Sequence, residues 1–268
     1  MEARKKLPVE TGEVKIMRNK YLEELNKIEF VVTYACTGRC KHCSQGSHSS
    51  RGVCIDASLG AELVRIVAAE YDIRTVMTFG GEPLLYPEAV FEIMRSARDM
   101  GVPRRQVITN GYFTRDRACI REVAEGLREC GVNEVLLSVD AFHQEAIPLE
   151  CVREFATDIM RAGIPLRLQP AWLVGENDDN EYNLKTREIL SRMKDTGAVI
   201  GEGNVIFPEG NARIFLAEYF KEKSPENPYI EDPCRVKCLS IEPNGDLLGK
   251  NLHDMGIEEI LTGYTPEA

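Results

Sequence analysis

Along this chain of 268 residues, short apolar runs with strand character alternate with longer stretches whose apolar residues recur every three or four positions. The strand-like runs are EFVVTY, TVMTF, QVITN, EVLLSV, PLRLQPAW and NVIF, beginning at Glu29, Thr75, Gln106, Glu134, Pro165 and Asn204. The helical stretches carry start and stop signals. ASLGAELVRIVAAEY follows Asp56, a side chain suited to capping a helix start. PEAVFEIMRSARDM opens on Pro87 and stops at Gly101, as a proline-first, glycine-last helix should. TRDRACIREVAEGLREC stops at Gly131, LECVREFATDIMRA at Gly163, and NLKTREILSRMKD just before Gly197.

Repeated βα steps predict an α/β fold with a parallel sheet. Six such units, at about 30 residues each, fit between Ile28 and Phe207. A full eight-unit barrel takes about 250 residues. The pattern therefore predicts either a partial (β/α)6 barrel or a doubly wound sheet, with the chemistry at the carboxyl ends of the strands. The tail differs in kind. CLSIEPNGDLLGKN sets Asn244-Gly245 between two apolar stretches, a strong hairpin signal, and the helical run GIEEILTG follows. KEKSPENPYIEDP reads as the linker into this small extension. The expected organisation is an N-terminal arm over 1–27, a barrel over 28–213 and a cap over 214–268.

Composition narrows the class. At 43% hydrophobic and 28% charged residues the chain can bury a sizeable core. A formal charge of −10 argues against nucleic acid as a partner, because phosphate backbones need basic surface. No run is apolar for long enough to span a membrane, and the N-terminus lacks the apolar core of a signal peptide, so a cytoplasmic location is expected. Nine cysteines in a reducing compartment read as metal ligands, reactive thiols or core residues.

Three of those cysteines stand together in CTGRCKHC, directly after the first strand: Cys36, Cys40 and Cys43. A closed zinc site draws four ligands, usually from paired knuckles. Three thiolates on a four-iron cube leave one iron open to a ligand. Spacing alone also admits a structural zinc or an electron-transfer cluster with a distant fourth ligand. One strand later, FGGEPLLYP presents Gly80, Gly81 and Glu82: two glycines that allow close backbone approach beside an acceptor for an ammonium group.

With these two motifs in register, and with ITNG and SVD after the third and fourth strands, the chain resembles the radical SAM enzyme superfamily from about Tyr34 to Phe207. The resemblance implies a partial (β/α)6 TIM-type barrel with a small C-terminal hairpin and helix extension. It implies that Cys36, Cys40 and Cys43 hold a [4Fe-4S] cluster whose open iron chelates S-adenosylmethionine. Gly80, Gly81 and Glu82 would receive the methionine amino group, and His42 would lie near the adenine. Ser138, Asp140, Asn110 and Gln169 would contact the methionine carboxylate and ribose, and Asn204 and Val205 would lie along the adenine. Reductive cleavage would give a 5′-deoxyadenosyl radical that takes a hydrogen atom from substrate. A low-potential donor such as ferredoxin or flavodoxin would supply the electron.

Other residues have a plain reading beside a functional one. His143 follows the fourth strand, where it can serve as an acid or base toward substrate or merely sit in a loop. Trp172 can wall a pocket or pack in the core. Cys119, Cys130 and Cys151 fall in helices, where inert thiols are the norm. The tail resembles a SPASM or twitch domain cut short. Cys234 and Cys238 precede the hairpin, but Lys250 stands near the place of the thiol that should follow it. One cluster per chain is expected, with the hairpin as a lid over the barrel mouth. A second metal would need Cys54 or His253. The SPASM-like tail points to a ribosomally made peptide as substrate, with a small metabolite as the alternative.

Overall fold

The structure, a computed structural model, describes residues 18–266; residues 1–17 of the expected N-terminal arm lie outside the described residues. In chain order come β1 (Lys27–Val31), α1 (Ala57–Glu70), β2 (Thr75–Phe79), α2 (Pro87–Asp99), β3 (Arg104–Thr109), α3 (Arg117–Cys130) and β4 (Glu134–Ser138). The short α4 (Ala141–Gln144) precedes α5 (Leu149–Arg161), β5 (Leu166–Gln169), β6 (Ala171–Leu173) and α6 (Glu181–Ser191). The next elements are β7 (Val199–Ile200), β8 (Asn204–Ile206) and α7 (Gly210–Phe215). The tail holds β9 (Cys238–Ile241), β10 (Asp246–Leu247), β11 (Lys250–Asn251) and α8 (Ile257–Gly263). The helix signals act as expected: Asp56 accepts the backbone N–H groups of Ser58 and Leu59, and Gly131 ends α3 in the left-handed conformation.

Strands β1, β2, β3, β4, β5 and β7 are parallel neighbours in chain order. A doubly wound sheet reverses its strand order at a switch point. This sheet never reverses, so it is the wall of a partial barrel. One strand face packs on the helices: Ile28, Phe30, Val107, Val135 and Leu168 share a core with Leu63, Ile93, Leu127 and Phe155. The alternate positions face the concave side. There Lys27 pairs with Glu29, and Glu134 accepts Gln106 Nε2 at 2.5 Å and Arg167 Nε at 3.2 Å. This face carries two ion pairs, Lys27 with Glu29 and Arg167 with Glu134, beside Arg104, which has no ion-pair partner among the described residues, and the apolar Val31, Met77, Ile108 and Leu136.

The last two units depart from the sequence pattern. The expected single strand PLRLQPAW breaks at Pro170 into β5 and β6, and the sixth unit breaks into β7 and β8. Pro170 has no N–H to donate to a ladder. Its carbonyl instead accepts Asn204 N at 2.8 Å. Gly203 sits across this break at φ +79°, where a Cβ would lie 2.3 Å from the Pro170 oxygen. β6 and β8 then pair as a separate two-stranded sheet.

The tail is also placed differently. β9 lies parallel to β1, from Lys27 opposite Cys238 to Phe30 opposite Ile241, and β10 returns antiparallel beyond Gly245. Leu239, Ile241, Leu247, Ile257, Ile260 and Leu261 join the same helix-side core as the barrel. The hairpin therefore extends the wall at its β1 edge and is not a lid across the mouth. The physical reason is that an edge strand offers a row of unpaired backbone groups, which a further strand satisfies.

Candidate active site

The cysteine loop is held by backbone pairing with the second unit. Gly81 N donates to Thr33 O at 2.7 Å and Glu82 N to Ala35 O at 2.8 Å. A Cβ on Gly80 would lie 2.4 Å from Thr33 O, and one on Gly81 would lie 2.2 Å from Ala35 O. Both glycines are thus required by the chain that leads into Cys36, a demand separate from any ligand. Thr33 also bridges Cys54, whose thiol bonds to Ile55 O at 3.3 Å.

Cys40 is buried, and Cys36 and Cys43 are half-buried. The sulfurs of Cys36 and Cys40 both lie within 3.5 Å of the point where a Cβ on Gly38 would stand. A single zinc at about 2.3 Å from each sulfur would draw all three thiols into one tight group. Among the described residues, the three metal-binding side chains whose ligand atoms approach within 4.8 Å are instead Cys40, His42 and His143. Three soft thiols gathered on one loop suit the thiolate ligation of an iron–sulfur cluster. Cys54, Cys234, Cys238 and His253 form no such group among the described residues.

Nitrogen groups stand at these sulfurs. Gly38 N donates to Cys36 Sγ at 3.2 Å, and Asn110 Nδ2 lies 3.6 Å from the same sulfur. His48 places Nε2 3.0 Å from Cys43 Sγ, with Nδ1 2.8 Å from Tyr34 O. Sequence reading missed His48, since nothing in GSHSS separates it from any loop histidine. Burial counts against the Cys43 thiolate, but His48 outweighs it and holds this thiol below its ordinary pKa. Burial, with Glu82 nearby, pushes the Cys36 thiol up to about 12.

Glu82 is fully buried. One carboxylate oxygen accepts Leu84 N at 3.0 Å and Thr109 Oγ1 at 2.7 Å, and the other accepts Asn110 N at 2.8 Å. Burial raises its pKa to about 7 despite these three donors. In this state Glu82 ties the ends of β2 and β3 together and meets no solvent. Asn110, fixed in this way, turns its amide toward Cys36 and also donates to Thr37 Oγ1 at 3.2 Å.

His143 lies against Asp140, with Nδ1 2.8 Å from Oδ2. The His42 ring is 4.9 Å from His143 and 5.0 Å from Phe142. Ser138 and Gln169 are register partners at the ends of β4 and β5. Three buried polar atoms in this region have no partner: His42 Nδ1, Gln144 Nε2 and Gln169 Oε1. Such orphans are costly unless a ligand or water meets them, so the strand ends fit a polar cofactor.

The remaining expected residues sit farther out. Asn204 accepts the Tyr229 hydroxyl at 2.9 Å, and Val205 is 40% exposed opposite Trp172. Trp172 itself belongs to the helix-side core and donates to Glu202 O at 2.7 Å, so it packs and does not wall a pocket. Sequence reading also missed Gly210 and Asn211, which touch the cysteine loop from the far end of the barrel.

Comparison with known proteins agrees with this geometry. Curated relatives include a probable GTP 3′,8-cyclase from Methanocaldococcus jannaschii, 26% identical over 132 residues, covering 48% of this chain and 41% of the relative. Another, from Sulfolobus acidocaldarius, is 29% identical over 126 residues, covering 46% and 37%. The chain thus spans only about two fifths of their length. Among solved structures, Streptococcus suis SuiB bound to S-adenosylmethionine aligns at TM-score 0.60 and 12% identity, over 91% of this chain and 66% of that one. The anSMEcpe structure with AdoMet and a peptide aligns at TM-score 0.51 and 15% identity, over 90% and 79%. These two likenesses are likenesses of fold. A family model described as the Radical SAM superfamily matches residues 30–179, from the first strand through the cysteine loop and the glycine pair to the entry of α6. Because this match takes in more than half of the chain, the chain belongs to the radical SAM superfamily.

Proposed function

We propose that this protein abstracts a hydrogen atom from a ribosomally made peptide admitted to the barrel interior. Cys36, Cys40 and Cys43 would hold a [4Fe-4S] cluster, and the unpartnered atoms at the strand ends would meet S-adenosylmethionine. When bound, this pair supplies the 5′-deoxyadenosyl radical. The chain's own part is to bind, orient and exclude water. The backbone around Gly80 and Gly81 and the side chains of Asn110, Ser138 and Gln169 would line the cofactor, with His42 beside its adenine. Asn204 and Val205, at the outer end of β8, would reach the adenine only along its edge. His143, braced by Asp140, would hold a proton at the ring nitrogen left free by that contact. An external low-potential donor, such as ferredoxin or flavodoxin, would deliver the electron.

The observation that carries the substrate class is that two interior cations are each paired with a carboxylate, Lys27 with Glu29 and Arg167 with Glu134. A nucleoside triphosphate brings several negative charges, which are costly to bury against cations already paired with carboxylates. A peptide brings amide groups that both donate and accept. The second reading, a small metabolite, is favoured by the GTP 3′,8-cyclases among the relatives. One experiment separates them. Anaerobically reconstituted protein, with S-adenosylmethionine and dithionite, should form 5′-deoxyadenosine at a rate that GTP leaves unchanged. A GTP-dependent burst with consumption of GTP would overturn the peptide reading, and no 5′-deoxyadenosine under any condition would overturn the reaction class.

A further inference from the structure

The cysteine loop is anchored at its other end by a residue far along the chain. Asn211, at the start of α7 and 7% exposed, donates through Nδ2 to Cys40 O at 3.0 Å and to Gly46 O at 3.2 Å. Its backbone N–H donates to Cys43 O at 2.9 Å. Gly210, at φ +51°, makes the approach possible: a Cβ there would lie 2.3 Å from Ser44 O and 2.5 Å from Cys43 O. Within the loop, the same carbonyls carry only the turn bonds Cys43 N to Cys40 O at 3.3 Å and Gly46 N to Cys43 O at 3.2 Å.

We infer that Asn211 is the positioning residue of the cluster loop, closing the partial barrel by joining its last βα unit to its first at the metal ligands. The inference rests on Cys36, Cys40 and Cys43 being the cluster ligands. The electrostatic reason is specific. An iron–sulfur cluster with three thiolates is anionic, and its potential depends on the dipoles and hydrogen bonds around the sulfurs. The three bonds from Asn211 hold the carbonyls of Cys40, Cys43 and Gly46 toward α7, while on the sulfur side Gly38 N donates to Cys36 Sγ. Released, those carbonyls can turn toward the cluster, which disfavours the more negative, reduced state. Groups one step outside a metal site commonly matter this much.

The test uses the full chain, reconstituted anaerobically. In wild type, about four irons per chain should bind. Asn211→Asp keeps the backbone bond and the size, but sets a carboxylate against two carbonyls. Its cluster should pass to an added iron chelator about tenfold faster than in wild type. The midpoint potential, followed by electron paramagnetic resonance, should move to more negative values. Asn211→Ser keeps one donor and should fall between the two. Gly210→Ala leaves the amide in place but drives α7 off the loop, and should match Asn211→Asp. Melting of the iron-free proteins serves as the folding control, and Asn211→Ser remains informative if the aspartate variant does not fold. Wild-type chelation rates and potential in folded Asn211 variants would overturn the inference. Wild-type protein that binds no four-iron cluster would instead overturn the ligand assignment beneath it.

Discussion

The carboxylate of Asp140 holds His143 twice, accepting its backbone N–H at 2.9 Å on one oxygen and facing its Nδ1 at 2.8 Å with the other. The second oxygen also accepts Ala171 N at 3.1 Å, so one buried side chain joins the ends of β4 and β6 to the histidine beside Cys40. Burial opposes charge on both partners, yet their mutual attraction, helped by Cys40 beside the histidine and His42 near the carboxylate, outweighs it. Asp140 is lowered to about 2 and His143 is raised well above its ordinary 6.5.

The pH dependence of the iron-free protein follows. A raised histidine contributes stability that is complete below pH 6.5 and is lost as pH rises through its folded value. A depressed carboxylate contributes stability above its ordinary 3.8 that is lost as pH falls through about 2. Asp140→Asn should therefore cost most between about pH 4 and 6.5, on the order of 3 kcal/mol, and less on either side. Urea unfolding across this range measures it, and a cost that does not vary with pH would contradict the pairing.

Gly81→Ala should damage the cluster loop before it damages cofactor binding. The added methyl would stand 2.2 Å from Ala35 O, so the backbone leading into Cys36 must shift. We expect a loss of about 2–4 kcal/mol in the iron-free protein and poor iron uptake. The glycine pair read from sequence alone suggests the opposite order, an intact cluster with weak S-adenosylmethionine binding. Iron analysis beside calorimetry decides between them.

Replacing Cys36, Cys40 and Cys43 together by alanine should abolish both iron uptake and 5′-deoxyadenosine. Single replacements should leave at most a labile three-iron or smaller remnant. Reductive cleavage that survives in the triple variant would remove the assigned ligands from the chemistry.

The tail should not add a second cluster. Cys234 is exposed, while Cys238 lies on β9 opposite Lys27, and neither joins a ligand group among the described residues. A Cys234→Ala/Cys238→Ala variant should keep about four irons per chain. Eight irons in wild type, falling to four in the variant, would show a working auxiliary site.

Much of this fold was legible along the chain because its signals are local. Asp56, Pro87 and Gly131 mark helix ends through bonds that span a few residues, and the apolar spacing marks which face is buried. The cysteine triplet and the glycine pair are equally local, and together they point to the family. Tertiary structure decided what joins them. Gly80 and Gly81 read as ligand space, but their missing Cβ atoms make room for the backbone of Thr33 and Ala35. Glu82 reads as an acceptor for an ammonium group, but its oxygens are taken by Leu84, Thr109 and Asn110. Asn211 carries no local signal at all, because its partners Cys40 and Gly46 lie 171 and 165 residues away. The tail hairpin was visible at Asn244-Gly245, but not that β9 would lie along β1, since a parallel pairing is set by which edge is open once the barrel has formed. The sequence by itself determined the elements and the kind of chemistry, because these depend on neighbours in the chain. Only the folded chain decided which of these residues brace the site, because that depends on distances the chain closes through space.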